Sequence, residues 1–207
     1  MSSHELAMSF GYLGATLGVS MVVPQIVRIV RHPALPGVSP LSWAMTSLSC
    51  LSWMTYGIRT GATPQIPGNI LLVSGAIAVV LLASAPMPRH RRALLIASTA
   101  GALLTVAWLI PAHSVGYLAF AVGLFSNWPQ LFDSIGNWRE HLSSGVSVSA
   151  WGLRIGSQVC WLAYAIGTDD VPVGIACSVA MSTAIATVAF ELAARTSFGS
   201  ATAPETA

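Results

Sequence analysis

The residue types that usually carry enzyme chemistry are scattered along this chain. The five histidines lie in termini or between apolar runs, at His4, His32, His90, His113 and His141. No paired carboxylates, no nucleophile beside a base and no glycine-rich phosphate loop can be found. The cysteines, Cys50, Cys160 and Cys177, lack metal-ligand spacing and are interpreted as small buried hydrophobes. We therefore expect neither catalysis, nor a metal site, nor a cofactor.

Several residues inside apolar runs could instead bind a solute or allow movement. Asn69 is costly at membrane depth unless it faces a partner or a wet cavity, and its amide offers donors and an acceptor. Pro24-Gln25 and Pro129-Gln130 interrupt two other runs, and a proline removes a helical hydrogen bond and kinks the helix. One interpretation is that Asn69 lines a polar site and that the prolines let their helices bend. The alternatives are that Asn69 only joins two helices by a hydrogen bond and that the kinks are static.

The elements that hold these residues follow from the composition. Of the 207 residues, 54% are hydrophobic and 8% charged, whereas soluble domains carry about a quarter charged residues. Seven nearly charge-free stretches cover 8–30, 40–58, 64–85, 93–110, 115–132, 148–167 and 171–192. Most approach the ~20 residues that a spanning helix needs, and they lack the alternation of barrel strands. The sequence predicts an all-α integral membrane protein with seven transmembrane helices.

The placement of the nine basic residues, all arginines, predicts the orientation. With the N-terminus outside, seven of them lie on the cytoplasmic side, namely Arg28, Arg31, Arg89, Arg91, Arg92, Arg139 and Arg195. Arg59 then lies outside. Arg154, one turn inside the sixth stretch, can snorkel to the cytoplasmic surface or contact an anionic solute or Asp133. The net charge of +2 thus reflects topology and indicates no nucleic-acid partner.

Two segments of the chain are related to each other. Gly11, Tyr12, Leu13, Gly18, Pro24 and Gln25 recur with an offset of 105 as Gly116, Tyr117, Leu118, Gly123, Pro129 and Gln130. Beyond the next turn the offset is 108, and Trp43, Ser49, Trp53, Tyr56 and Pro64 recur as Trp151, Ser157, Trp161, Tyr164 and Pro172. Each copy covers three helices, and 93–110 has no counterpart. Because one extra crossing restores the orientation, we predict two parallel three-helix bundles joined by a linker helix, a 3+1+3 arrangement.

The repeat also predicts the domain boundaries. The first three-helix repeat covers 8–85, a cytoplasmic loop and the linker helix cover 86–112, and the second repeat covers 113–194. Residues 195–207 form a cytoplasmic tail that is polar and rich in small residues, so we expect it to be disordered.

The repeated residues resemble a known family. Val23-Pro24-Gln25 and Trp128-Pro129-Gln130 resemble the motifs of the PQ-loop superfamily. The segments 51–58 and 160–166 resemble the second helix of SWEET and bacterial SemiSWEET sugar transporters of the MtN3/saliva type, and the likeness covers nearly the whole chain. It implies facilitated, alternating-access uniport of a small mono- or disaccharide through the plasma membrane.

The resemblance also implies the binding residues. In these transporters a Trp of the second helix and an Asn of the third helix of each repeat line the sugar pocket, which corresponds here to Trp53, Trp161 and Asn69. The fourth position departs from the family, because the offset of 108 leads from Asn69 to Cys177. An indole stacks on the apolar face of a sugar ring while an amide binds its hydroxyls. Pro24-Gln25 and Pro129-Gln130 are then the expected hinges.

Alternatives remain for the transported solute, for coupling to protons and for the class of membrane protein. PQ-loop relatives also carry amino acids, and Cys177 in place of Asn keeps that cargo open. Asp133, Glu140 and Glu191 lie near predicted inner helix ends rather than at mid-membrane, so we expect uncoupled movement, with a proton-linked carrier using Asp133 as the alternative. A membrane receptor is a third class, although short loops leave little surface for a protein partner. Single-repeat relatives must dimerise, whereas this chain carries both halves, and homo-oligomerisation stays open.

Overall fold

Seven α-helices make up nearly all of residues 1–31, 40–82, 88–140 and 148–201, which are the residues that the computed structural model describes. They are α1 (Ser3–Arg31), α2 (Pro40–Thr60), α3 (Gln65–Leu82), α4 (Arg89–Leu109), α5 (Ala112–Arg139), α6 (Val148–Thr168) and α7 (Val171–Ala201). Each helix coincides with one of the seven predicted stretches. The described residues contain no strand, which agrees with the all-α prediction.

Several helix ends differ from the predicted stretches, and two of the differences have a local explanation in the sequence. The break between α4 and α5 is Ile110-Pro111, because proline forces the preceding residue into an extended conformation, and Ile110 has ψ 160°. At the C-terminus, α7 continues to Ala201 and so includes the first seven residues of the tail predicted to be disordered. Leucine and alanine at 192–194 favour helix, and no glycine follows before Gly199. Residues 202–207 lie outside the described residues.

The helices pack in two triplets with the same neighbour pattern. α3 packs against both α1 and α2, and α7 packs against both α5 and α6. Between the triplets, α1 packs against α6 and α2 packs against α5. Each contact therefore has a counterpart when α1, α2 and α3 are replaced by α5, α6 and α7. This is the pattern expected of two halves related by a pseudo-two-fold axis. We call α1–α3 the first bundle and α5–α7 the second bundle.

The linker α4 is fastened to the first bundle at both of its ends. Arg59, at the end of α2, donates to the carbonyls of Ala107 and Ile110 and lies 5.4 Å from the centre of the Trp108 ring. Arg92, in the first turn of α4, is buried and donates to the carbonyl of Val80 near the end of α3 at 2.9 Å. The last carbonyls of a helix lack intrahelical donors and carry partial negative charge, so arginine suits both positions.

Large apolar side chains cover much of the outside, and several polar side chains are buried among the helices. Large apolar side chains on the outside include Leu94, Leu109, Phe125 and Ile166. Some hydroxyl residues lie in the interior: Ser52, Thr55 and Thr187 are buried, and each hydroxyl donates to the carbonyl four residues earlier. By length and composition, α4 and residues 171–194 of α7 can each cross a bilayer. Small hydroxyl residues between helices and apolar residues outside are typical of a fold whose solvent is lipid.

Candidate functional site

Two matched helix crossings hold the bundles together. Ser157 of α6 donates its hydroxyl to the carbonyl of Gly14 in α1, with an oxygen–oxygen distance of 2.8 Å. Ser49 of α2 donates in the same way to the carbonyl of Ala119 in α5, at 3.2 Å. The serines are repeat partners, and so are the two acceptors. Small residues with a serine hydroxyl allow backbones to approach closely, so the repeat builds the same crossing twice.

Glycines in the first helix of each repeat permit this close approach. A Cβ atom added to Gly11 would lie 2.8 Å from Pro64 Cβ and 2.8 Å from Tyr164 Cδ2, which belongs to the other bundle. One added to Gly116 would lie 2.6 Å from Pro172 Cβ. Real Cβ atoms do not approach other atoms so closely, so glycine is required at both positions by space rather than by backbone conformation.

Both predicted tryptophans point into a cluster shared by the two bundles. Trp53 and Trp161 are half-buried and pack against a set that contains Tyr56, Tyr164 and Cys177. Each indole meets the tyrosine three residues later edge-on, with ring centres 5.7 Å apart for Trp53–Tyr56 and 5.5 Å for Trp161–Tyr164. The structure therefore brings three of the four predicted binding residues, Trp53, Trp161 and Cys177, into one cluster.

The fourth predicted residue, Asn69, is buried on α3 beside Gln65. Its amide donates to the Gln65 carbonyl at 2.6 Å and lies 3.4 Å from the Gln65 side-chain oxygen. In the second repeat the same two positions hold Val173 and Cys177, both buried. Thus α3 carries two amide side chains at the positions where α7 carries an alkyl side chain and a thiol.

A cavity of about 480 Å³ opens above this cluster. Its lining includes residues from the ends of four helices, namely His4, Thr60, His113 and Thr168, which places it where α1 and α5 begin and α2 and α6 end. We call this end the N-terminal face. Neither Trp53 nor Trp161 belongs to the lining, but Tyr56 and Tyr164 do. The two tyrosines therefore lie between the cavity and the indoles.

One hydrogen bond joins the bundles at the floor of the cavity. The Tyr56 hydroxyl donates to Asp170 Oδ1 at 2.7 Å, and the same carboxylate oxygen accepts from the backbone N–H of Val173 at 3.2 Å, which caps the start of α7. The repeat partner of Asp170 is Ala62, so the first repeat offers no carboxylate here. This contact was not predicted from the sequence. The signal that could have indicated it is that the tyrosines are repeated in both copies whereas Asp170 occurs in the second copy alone.

The expected hinges lie within long helices. Pro24 is inside α1 and Pro129 inside α5, and both helices continue for at least two further turns. The side chains of these prolines and of Gln25 and Gln130 lie outside the described residues, as does that of Asp133. The hinge assignment therefore stays a prediction.

Comparison with solved structures identifies the fold. The chain superimposes on a eukaryotic SWEET transporter with a TM-score of 0.78 and 14% sequence identity, covering 94% of this chain and 99% of that one. The fold is SWEET-like. The SWEET-like fold and the apolar exterior together make this an integral membrane protein. No protein-family model and no curated relative matches the sequence.

Proposed function

We propose that this protein is a SWEET-like transporter that carries a small sugar down its gradient by uncoupled, alternating-access uniport. Its seven helices would cross the plasma membrane as two parallel three-helix repeats joined by α4, with the N-terminus outside and the C-terminus in the cytoplasm. The observation that carries the proposal is the pair Trp53 and Trp161, which come from equivalent helices and meet one cluster between the bundles.

The chemistry of this cluster suits a small sugar. Two indoles from opposite sides offer aromatic faces for the apolar C–H faces of a ring. Outside the cluster, Asn69 and Gln65 of α3 carry amide donors and acceptors that suit hydroxyls, and Tyr56 and Tyr164 carry further hydroxyls. Cys177 completes the wall with a small, weakly polar group. The polar groups of a bound ligand would therefore make stronger contacts with α3 than with α7.

Alternating access follows from the position of the tyrosines. In the present conformation Tyr56 and Tyr164 separate the cavity at the N-terminal face from the indoles. For the site to open to that face, the bundles must move apart and the Tyr56–Asp170 hydrogen bond must break. Bending at Pro24 and Pro129 would let the opposite ends of the bundles close at the same time.

Flux of labelled sugars into proteoliposomes tests this function. Trp53→Ala and Trp161→Ala should each reduce uptake about tenfold or more, because stacking and burial of an indole together contribute well over 1 kcal/mol. Trp138→Ala is the matched control, since Trp138 packs on Phe190 away from the cluster and should leave uptake near the wild-type rate. Uptake that survives in both cluster variants would refute the site.

A second cargo class, amino acids and related small metabolites, is favoured by one observation. The second repeat lacks the amide that its symmetry partner carries, and the buried Val173 and Cys177 make that wall suited to a less hydroxylated ligand. Labelled amino acids in the same vesicles distinguish the two, because uptake of amino acids without uptake of sugars would assign the carrier to this second class.

A further inference from the structure

The cavity at the N-terminal face has a symmetric floor and asymmetric walls. Its floor consists of two tyrosines that are repeat partners. In its walls, the second repeat contributes Asp169 and Asp170, whereas the first repeat contributes Gly61 and Ala62 at the corresponding positions. The carboxylates of the lining therefore come from one bundle alone.

Two histidines line the same cavity. His4 lies in the first turn of α1 and His113 in the first turn of α5, and both are exposed. The repeat partner of His113 is Met8, which also lines the cavity but carries no hydrogen-bond donor. Each bundle thus contributes one imidazole, from positions that are not related by the repeat.

Asp169 occupies a backbone conformation that glycine adopts more easily. It has φ 55°, and its repeat partner Gly61 has φ 76°, so both copies of this turn need the left-handed region. Glycine reaches that region without a steric cost, whereas residues with a side chain rarely do. The turn therefore does not require an aspartate, and what the aspartate adds is a carboxylate in the wall of the cavity.

The side chains of Asp169, His4 and His113 can all contact a solute. Among the described residues, none of these three has a hydrogen-bond or ion-pair partner. Asp170 differs, because its Oδ1 already accepts from the Tyr56 hydroxyl. A solute can therefore bind to Asp169 while the hydrogen bond that joins the bundles stays intact.

The size of the cavity and the spread of its polar groups favour an organic solute over a metal ion. The volume of about 480 Å³ lies within the roughly 300–1,000 Å³ that pockets for small molecules usually have. In the part of the chain that the structure describes, no three histidine, cysteine or acidic side chains lie close enough to hold one metal ion. A ligand that contacts several of the polar groups must therefore be larger than an ion.

A ring with many hydroxyls suits these groups. A carboxylate can accept from two neighbouring hydroxyls, and a neutral imidazole both donates and accepts. The exposed Tyr117 and the tyrosines of the floor offer aromatic surface to the apolar C–H faces of such a ring. Because a charged acceptor makes a stronger hydrogen bond than a neutral one, Asp169 would be the main contact.

We propose that the cavity at the N-terminal face is a second sugar-binding site, in which Asp169, His4 and His113 hold the hydroxyls of the ring. It is separate from the tryptophan cluster, because the two tyrosines lie between them. A sugar bound in the cavity passes to the indoles when the bundles move apart. The choice of a sugar and its passage rest on the proposed function, whereas binding in the cavity can be tested without transport.

Protection of an introduced thiol tests binding in the purified protein. Thr168→Cys adds a thiol to the lining of the cavity, while the native cysteines are buried. Glucose or sucrose, at ten times its dissociation constant, should slow the reaction of this thiol with a water-soluble reagent about tenfold, since that fraction of cavities is occupied.

Thr63→Cys is the matched control for this experiment. Thr63 is exposed at the same face and does not line the cavity, so its labelling rate should not depend on sugar. No protection in Thr168→Cys, or equal protection at both positions, overturns the proposal.

Asp169→Gly, added to Thr168→Cys, tests the carboxylate. It copies Gly61 of the first repeat and suits the left-handed backbone, so the variant should fold. Sugar affinity in the cavity should fall roughly tenfold, as expected when a hydrogen bond to a charged group is lost. Unchanged affinity overturns the role of Asp169.

Trp53→Ala, also added to Thr168→Cys, separates the two sites. Protection should persist, because the indole lies in the cluster and not in the lining of the cavity. Loss of protection would show that the sugar acts from the tryptophan cluster, which overturns a separate site. Choline tests the ligand class, and protection by choline without protection by either sugar overturns the assignment to sugars.

Uptake into proteoliposomes connects this site to transport. For sugar that enters from the N-terminal face, Asp169→Gly should raise the half-saturating concentration several-fold and leave the maximal rate near that of the wild type. An unchanged half-saturating concentration overturns passage through the cavity. Absence of any flux, with protection of the thiol retained, would refute the proposed function and leave the binding site in place.

Discussion

The two bundles share the serine crossings that join them and differ at the proposed binding residues and at the N-terminal face. Ser49 and Ser157 make the same cross-bundle hydrogen bond. In contrast, Asn69 is matched by Cys177, and Asp170 by Ala62. The serine contacts join the bundles twice in the same way, whereas the Tyr56–Asp170 contact joins them once, because the first repeat carries Ala62 in place of the aspartate. We therefore expect specificity to depend on the positions at which the two bundles differ.

The largest expected effect tests whether the shared contacts are equally important in both halves. Gly11→Ala and Gly116→Ala should each destabilise the protein by about 1–3 kcal/mol, because the new methyl group overlaps Pro64, just before α3, or Pro172, in α7. Gly101→Ala, which meets no atom within 4 Å, is the control and should be neutral or stabilising. Thermal unfolding of the purified variants in detergent measures the difference. A loss of stability at one glycine and not at its partner would break the symmetry argument.

A smaller effect should appear where the bundles differ at the N-terminal face. Tyr56→Phe removes the hydrogen bond to the Asp170 carboxylate, a loss of about 1.5–3 kcal/mol from the closed state. The buried thiol of Cys177, beneath the tyrosines, should then react roughly tenfold or more faster with a water-soluble thiol reagent.

Tyr164→Phe is the matched control for this change. The hydroxyl that donates to Asp170 is that of Tyr56, and Ala62 is the repeat partner of Asp170, so labelling should rise less than in Tyr56→Phe. Cys177→Ser confirms which thiol is labelled, since Cys50 and Cys160 are also buried. Equal labelling in the two tyrosine variants would show that the Asp170 contact does not hold this face closed.

The smallest effect concerns the walls of the binding cluster. Cys177→Asn gives the α7 side the amide that α3 already has, and a net hydrogen bond contributes about 1 kcal/mol, or roughly a fivefold gain in affinity for a hydroxylated ligand. Competition of unlabelled sugars against a labelled one in vesicles measures this preference. Cys177→Ser is the control of similar size to the native thiol. Unchanged preference in Cys177→Asn would place this position outside the substrate site.

The fold was largely predictable because its main signals are local or repeated. Each apolar stretch became a helix at the expected place, since in lipid a chain must satisfy its backbone hydrogen bonds within itself. Trp53, Trp161 and Cys177 lie in one cluster, and their role in binding stays a prediction. The end of α7 was less predictable, because a small, polar composition does not distinguish a disordered tail from a helix that simply continues beyond the bilayer.

The sequence by itself determined the helices, the repeat and the residues that repeat, because hydrophobicity and internal similarity are properties of the chain. Only the tertiary structure decided which unrepeated residues matter. Tyr56 meets Asp170 across 114 positions and Ser134 meets Glu191 across 57, and no local pattern encodes contacts at such separations. Glu191 illustrates the point, since the sequence placed it only near an inner helix end, whereas the packing of α5 against α7 buries it.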